Sequence, residues 1–251
     1  MQFNEAQIQA IQHNTGPCMV IAGPGSGKTT VLTHRVRYLI ERYGVNPSDI
    51  LVITFTKAAA EQMKLKFKGL SEGRNSAVTF GTFHAVFFTI LKAAYNYSAH
   101  CIIKPQIQHE FVKDQMCRLE LEYDDENEAV AGVLSEISCV KGEDVNIDEY
   151  ESRCIPPQSF RIMYRAYDDM LVRKHLIDFD DMIVQCRELL MQREDYRRAW
   201  QNKYKYILID EFQDINKAQF DVVRILADEY RNLFVVGDDD QSIYGLSLIH
   251  I

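Results

Sequence analysis

Short, nearly unbroken apolar runs alternate with longer stretches whose apolar residues recur every three or four positions over the first 95 residues, and again after residue 205. The short runs predict buried strands at 18–22, 50–55, 77–80, 206–209 and 233–236. Residues 30–43 have helical spacing, end at Gly44 and are followed by Pro47, so they predict a helix between two of these strands. Strands that alternate with amphipathic helices define an α/β domain built on a parallel sheet.

Between residues 97 and 177 the texture changes. Glycine is scarce, charge is high, and apolar residues fall at helical spacing: Phe111, Met116, Leu119 and Leu121, then Ile162, Met163, Ala166, Met170 and Leu171. Pro156-Pro157 breaks the stretch once. The pattern predicts an all-helical insertion, dividing the chain into a first core part (1–96), a helical subdomain (97–177) and a second core part (178–251).

Composition narrows the setting. Apolar and charged shares of 47% and 25% are those of a globular chain, and no run approaches the ~20 apolar residues of a membrane span. The start, Met1-Gln2-Phe3-Asn4, lacks the charged and apolar regions of a secretory signal. The six cysteines show no CxxC spacing, which argues against a zinc site, and a reduced, cytoplasmic setting is expected. A net charge of −8 is unusual for a nucleic-acid binder, but it is unevenly distributed. Residues 110–151 hold 14 acidic groups against Lys113, Arg118 and Lys141, whereas 57–74 carry Lys57, Lys64, Lys66, Lys68 and Arg74 against Glu61 and Glu72. The balance therefore permits DNA binding through a local face.

Candidate chemistry sits at the ends of the expected strands. Gly23-Pro24-Gly25-Ser26-Gly27-Lys28-Thr29 matches GxxxxGK[ST], with a strand before it and a helix after it. Such a loop turns backbone N–H groups toward phosphates at the positive end of a helix, with Lys28 on the β- and γ-phosphates and Thr29 on Mg²⁺. Asn4 and Gln7, ahead of Ile8 and Ile11, have capping-box spacing. The Gln7 amide, donor and acceptor at once, is also suited to an adenine ring. After the strand at 206–209 come Asp210-Glu211-Phe212-Gln213-Asp214. An acidic pair at the carboxyl end of a strand can hold Mg²⁺ (Asp210) and polarise an attacking water (Glu211), or it can simply favour a helix N-terminus. The cluster Asp178-Phe179-Asp180-Asp181 reads instead as a helix start capped by Asp178 or Asp180.

Phe55-Thr56-Lys57 and Thr82-Phe83-His84 follow the second and third strands. Their hydroxyls and lysine suit phosphate contacts, and Phe55, Phe83 or His84 could stack on bases at about 1–3 kcal/mol each. The bland alternatives are a core helix (Phe83, Phe87, Ile90, Leu91), a solvated lysine stripe (Lys57, Lys64, Lys68) and a hydrogen-bonded core histidine (His84).

In order along the chain, FNEAQ (3–7), AGPGSGKT (22–29), TFTKAAAEQM (54–63), GTFHA (81–85), DEFQD (210–214) and GDDDQSIYG (237–245) resemble the motifs of UvrD/Rep-type superfamily 1 DNA helicases. DFDDMI (178–183) is also similar to this family. The resemblance implies a RecA-like P-loop NTPase core interrupted by a helical subdomain, with ATP and Mg²⁺ as cofactors. It implies single-stranded DNA or a 3′-tailed duplex as partner and 3′-to-5′ translocation. By the same resemblance Gln7 reads adenine, while residues 23–27, Lys28, Thr29 and Thr30 line the nucleotide. Asp210 and Glu211 serve metal and water. Gln241 senses the γ-phosphate, and Tyr244 stacks on a base beside the track formed by Phe55, Thr56, Lys57, Thr82, Phe83 and His84.

Two departures stand out. The family often places Arg directly after the motif I threonine, where this chain has Thr30, so a cation near the adenine or phosphates is absent or replaced. After Gly245 the family continues with an aromatic and Arg-Gly-Ala, whereas this chain reads Leu246-Ser247-Leu248-Ile249-His250-Ile251. The expectation is a truncated first part without the second RecA-like domain and its arginines. Such arginines are worth about 10³–10⁵ in turnover, so a weak or inert nucleotide-binding module is expected in isolation. Tyr244, Leu246, Leu248 and Ile249 are then expected to expose an apolar surface. The motor part of a recombination helicase-nuclease is the other alternative, but it needs a nuclease domain that no residue here reveals.

Overall fold

The computed structural model describes residues 3–23, 25–71 and 77–238. Pro24, Gln241 and Tyr244 lie outside them, as does the expected apolar surface with Leu246, Leu248 and Ile249.

Five strands form one sheet: β1 (Cys18–Ile21), β2 (Ile50–Thr54), β3 (Thr79–Thr82), β4 (Tyr206–Ile209) and β5 (Leu233–Gly237). Their order is β1-β5-β4-β2-β3, and every pairing is parallel. Parallel strands need crossovers that cover both faces, which is why the inner strands are apolar throughout. All five residues of β2 are buried, and so are Leu233 to Val236 of β5. At the edge, β1 alternates instead, leaving Met19 and Ile21 exposed. Because the strands run in one direction, all five carboxyl ends lie along one side of the sheet, where open α/β sheets place their ligands. The third strand begins two residues later than its apolar run and ends at Thr82, because Leu51 to Thr54 of β2 pair with Thr79 to Thr82.

In chain order, α1 (Glu5–Gln12), α2 (Lys28–Tyr43), α3 (Lys57–Leu70) and α4 (Phe83–Ala94) accompany the first three strands. Then follow α5 (Pro105–Arg118), α6 (Glu126–Glu143), α7 (Pro157–Lys174) and α8 (Phe179–Gln192), and finally α9 (Glu194–Lys203) and α10 (Lys217–Ala227). The chain forms two compact units. One comprises Met1–Val86, Leu189–Ile215 and Phe220–Ile251, and the other Phe87–Glu188 and Asn216–Gln219. Divisions fall inside α4, α8 and α10, where no change of composition marks them.

In the first unit, Leu32, Val36 and Leu39 of α2 and Met63 and Phe67 of α3 pack with Val52, Leu208, Phe234 and Val236 of the sheet. Each such burial contributes about 1.5–3 kcal/mol. Arg35 crosses this core at 2% exposure. Its guanidinium donates to the carbonyls of Ala10 and His13 at the end of α1 and lies 4.3 Å from the centre of the Phe234 ring. Burial draws its pKa down to about 10.

The core of the second unit is Val112 and Met116 of α5, Val133, Ile137 and Val140 of α6, and Phe160, Met163, Tyr167 and Leu171 of α7. Ile162, expected on the apolar face of α7, is 45% exposed. The face in fact runs 160, 163, 167, 170–171. Pro157 opens α7, at the break the sequence indicated. Asp178 settles the cap of α8: its Oδ1 accepts from Asp181 N–H (2.6 Å), and Asp181 Oδ2 accepts from Asp178 N–H (3.2 Å).

Candidate nucleotide site

The phosphate loop is built where β1 gives way to α2. Ala22 N–H donates to the Gly237 carbonyl (3.0 Å), extending the β1–β5 pairing by one bond before the chain turns. Gly25 and Gly27 take φ of +73° and +89°, which side chains disfavour. Gly27 caps α2, and its carbonyl accepts from Thr30 (2.8 Å) and Val31 (2.9 Å). Lys28 and Thr29 thus occupy the first turn, at the positive end of the helix.

Gln7 takes the capping role that its spacing predicts, and its amide also reaches the phosphate loop. It closes the capping box, its N–H donating to Asn4 Oδ1 (2.8 Å) and its Oε1 accepting from Asn4 N–H (3.1 Å). Its Nε2 donates to the Ser26 carbonyl inside the loop (2.9 Å). One donor and one acceptor position of the amide remain for a base.

Lys28 Nζ lies 3.5 Å from Glu211 Oε2 and 3.7 Å from Asp238 Oδ2, joining the ends of β1, β4 and β5. Asp210, 5% exposed, extends the sheet pairing through its N–H to Ile53 O (3.0 Å), and the Thr29 hydroxyl is near enough to favour its charged form. Burial first, and Glu211 second, push its pKa up to about 6. Asp214 is raised by the same two causes. Glu211 sits in the left-handed region at φ +53°, a strained setting that recurs at functional sites.

Sequence reasoning missed two partners here. Gln213 donates through Nε2 to Glu211 Oε2 (2.9 Å) and Asp214 Oδ2 (3.3 Å), while its Oε1 accepts from Asp238 N–H (3.0 Å). It therefore ties the end of β4 to that of β5 and aims Glu211. A Cβ on Gly237 would come within 3.0 Å of Gln213 Oε1. The available signals were an amide inside an otherwise acidic pentapeptide and the Asp directly after the Gly that ends β5.

The cluster fits a magnesium–nucleotide. Carboxylates of Glu211 and Asp238 flank one ammonium, and the neighbouring Asp210 is a buried carboxyl whose charge burial opposes. Among the described residues no group of three or more metal-type side chains meets. Mg²⁺ in nucleotide sites nevertheless needs only one or two protein oxygens beside the phosphates and water, and Thr29 and Asp210 offer two.

Along the same side of the sheet, Thr54 pairs with Thr82, so the 55–57 and 82–84 segments leave neighbouring strands. Phe55 is 45% exposed and the Lys57 side chain 89%, the latter 3.8 Å from Glu61. Thr56 caps α3 by accepting from Ala59 N–H (3.1 Å), and Thr82 accepts from Ala85 N–H (3.3 Å). Phe83 corrects an expectation: at 1% exposure its ring belongs to the core, following the 83, 87, 90, 91 spacing, and it offers no stacking face. His84 is half-buried, and burial holds its pKa below the usual imidazole range.

Fold and loop together define a RecA-like phosphate-loop domain. The chain belongs to the UvrD/REP helicase N-terminal domain family, whose model matches residues 3–248. It is 34% identical over 255 residues to ATP-dependent DNA helicase PcrA of Staphylococcus epidermidis, covering 97% of this chain and 34% of that protein. The identity is likewise 34%, over 252 residues, to ATP-dependent DNA helicase PcrA of Staphylococcus aureus, with the same coverage. The chain thus spans about a third of the length of these relatives. No helix among the described residues is long and apolar enough to cross a membrane.

Proposed function

We propose that this chain is the nucleotide-binding lobe of an ATP-dependent DNA helicase that moves 3′-to-5′ along single-stranded DNA. The observation that carries the reading is the convergence of Lys28 with Glu211 and Asp238, beside Thr29 and Asp210, at the ends of three adjacent strands. Lys28 binds the terminal phosphates, and Gln7 holds the loop and reads the base. Thr29 and Asp210 hold Mg²⁺, which when bound neutralises phosphate charge. Glu211, aimed by Gln213, accepts a proton from the attacking water. Phe55, Thr56, Lys57, Thr82 and His84 contribute the DNA-facing edge, and Gln241 and Tyr244 connect it to the nucleotide. In this reading a second lobe supplies the arginines that complete turnover, so the 251 residues alone bind Mg-ATP and hydrolyse it slowly.

The test is ATP binding and hydrolysis by the 251-residue chain with and without single-stranded DNA, with Lys28→Ala as control. Expected are Mg²⁺-dependent ATP binding lost in Lys28→Ala, and little stimulation by DNA. Robust stimulation that Lys28→Ala abolishes would replace the binding lobe with a self-sufficient motor. No ATP binding by the wild type would end the reading.

A further inference from the structure

Lys66 lies on α3, 36 residues along the chain from its partner on α2, and its Nζ donates to Thr30 Oγ1 at 2.7 Å. Thr30 follows the phosphate-binding pair Lys28-Thr29 in the first turn of α2. Its side chain stands at a point where three elements close together. A Cβ built on Gly27 would lie 3.6 Å from Gln7 Nε2 and 4.0 Å from Thr30 Cβ, and Gln7 itself is bonded to Ser26 O. Gln7 and Thr30 therefore flank Gly27, and Lys66 reaches this group through the Thr30 hydroxyl, while Lys28 is turned to Glu211 and Asp238. One turn further along α2, His34 is held below the usual imidazole range by burial first, then by the charges of Arg37 and Lys66.

An ammonium placed against a neutral hydroxyl keeps donors to spare. We propose that Lys66 supplies a positive charge to the nucleoside end of the nucleotide held by this loop, beside the amide of Gln7. The inference rests on the nucleotide-site reading above and adds to it a residue from another element. The position after Thr29 carries no cation in this chain, and the structure brings Lys66 from α3 to its side chain.

The experiment is competition of a fluorescent ATP analogue from the 251-residue chain by ATP and, separately, by inorganic tripolyphosphate, both with Mg²⁺. The wild type is compared with Lys66→Met, Lys66→Arg and Thr30→Val. Lys66→Met is expected to weaken ATP about tenfold, the scale of one charge-assisted contact, and to leave tripolyphosphate unchanged. Lys66→Arg should keep most of the affinity, and Thr30→Val, which removes the hydroxyl that orients the ammonium, should lose part of it. Thermal melting checks that each variant is folded. Equal weakening of both ligands would overturn the assignment, because the charge would then act on the phosphates. Unchanged ATP affinity in folded Lys66→Met would overturn it too, while leaving the nucleotide site standing. A wild type that binds neither ligand would end both readings.

Discussion

Asp210 carries two opposing demands on one carboxylate. Its folded pKa of about 6 lies above the unfolded value of about 3.9, so the folded state takes up the proton more readily. Its contribution to stability is therefore full below about pH 3.9 and is lost as pH rises through 6. Above pH 6 the buried charge costs stability, yet that ionised form is the one a divalent cation needs. Asp210→Asn is accordingly expected to raise the melting temperature at pH 8 and to abolish Mg²⁺-dependent ATP binding, a trade of stability against function. In the wild type, Mg-ATP affinity should fall as pH drops through about 6. A variant that melts lower than wild type at pH 8 would contradict the buried-charge account. The places of Asp210, Lys28 and Thr29 were legible because each follows a strand or opens a helix in a fixed motif. Gln213 and Lys66 were not, since their partners come from β5 and α2 and no local spacing announces them.

Among the elements, the sequence was readable wherever burial acts on both faces of a strand. The strands at 50–54, 206–209 and 233–237 emerge near their apolar runs. The third strand slipped by two because its end is fixed by pairing with β2, not by hydrophobicity. The α1 cap was equally legible, since Asn4 and Gln7 are local partners. What holds α1 to α2 was not. Arg35 falls at an apolar position of α2 and donates through Nη1 to the carbonyls of Ala10, in the last turn of α1, and of its cap His13. Arg35→Met keeps much of the apolar stem while removing those bonds. It is expected to destabilise the first unit by about 1–3 kcal/mol, read as a lower urea midpoint. Because α1 carries Gln7, weaker ATP binding should accompany it. An unchanged midpoint would mean that the packing of α1 alone holds the helix.

Across the whole molecule, the acidic residues behind the net charge of −8 include groups with structural tasks in the second unit. Lys141, 7% exposed, lies 3.0 Å from Asp178, 2.7 Å from Asp181 and 3.0 Å from Asp168. Burial opposes its charge, but the three carboxylates outweigh burial and hold the ammonium above its ordinary range. Burial and then Asp178 push both Asp180 and Asp181 up to about 6. These raised carboxylates favour the fold below about pH 3.9 and lose that contribution as pH rises through 6, so the unit should be more stable at pH 5 than at pH 8. Lys141→Met leaves Asp178 and Asp181 buried without their cation, at an expected cost of about 3–5 kcal/mol near pH 8. At pH 5 the loss should shrink, because protonation then removes the uncompensated charge. Denaturant melts of wild type and variant at the two pH values measure this difference directly. A loss of equal size at both would show that Lys141 acts through its contact over the Tyr167 ring and not through the carboxylates.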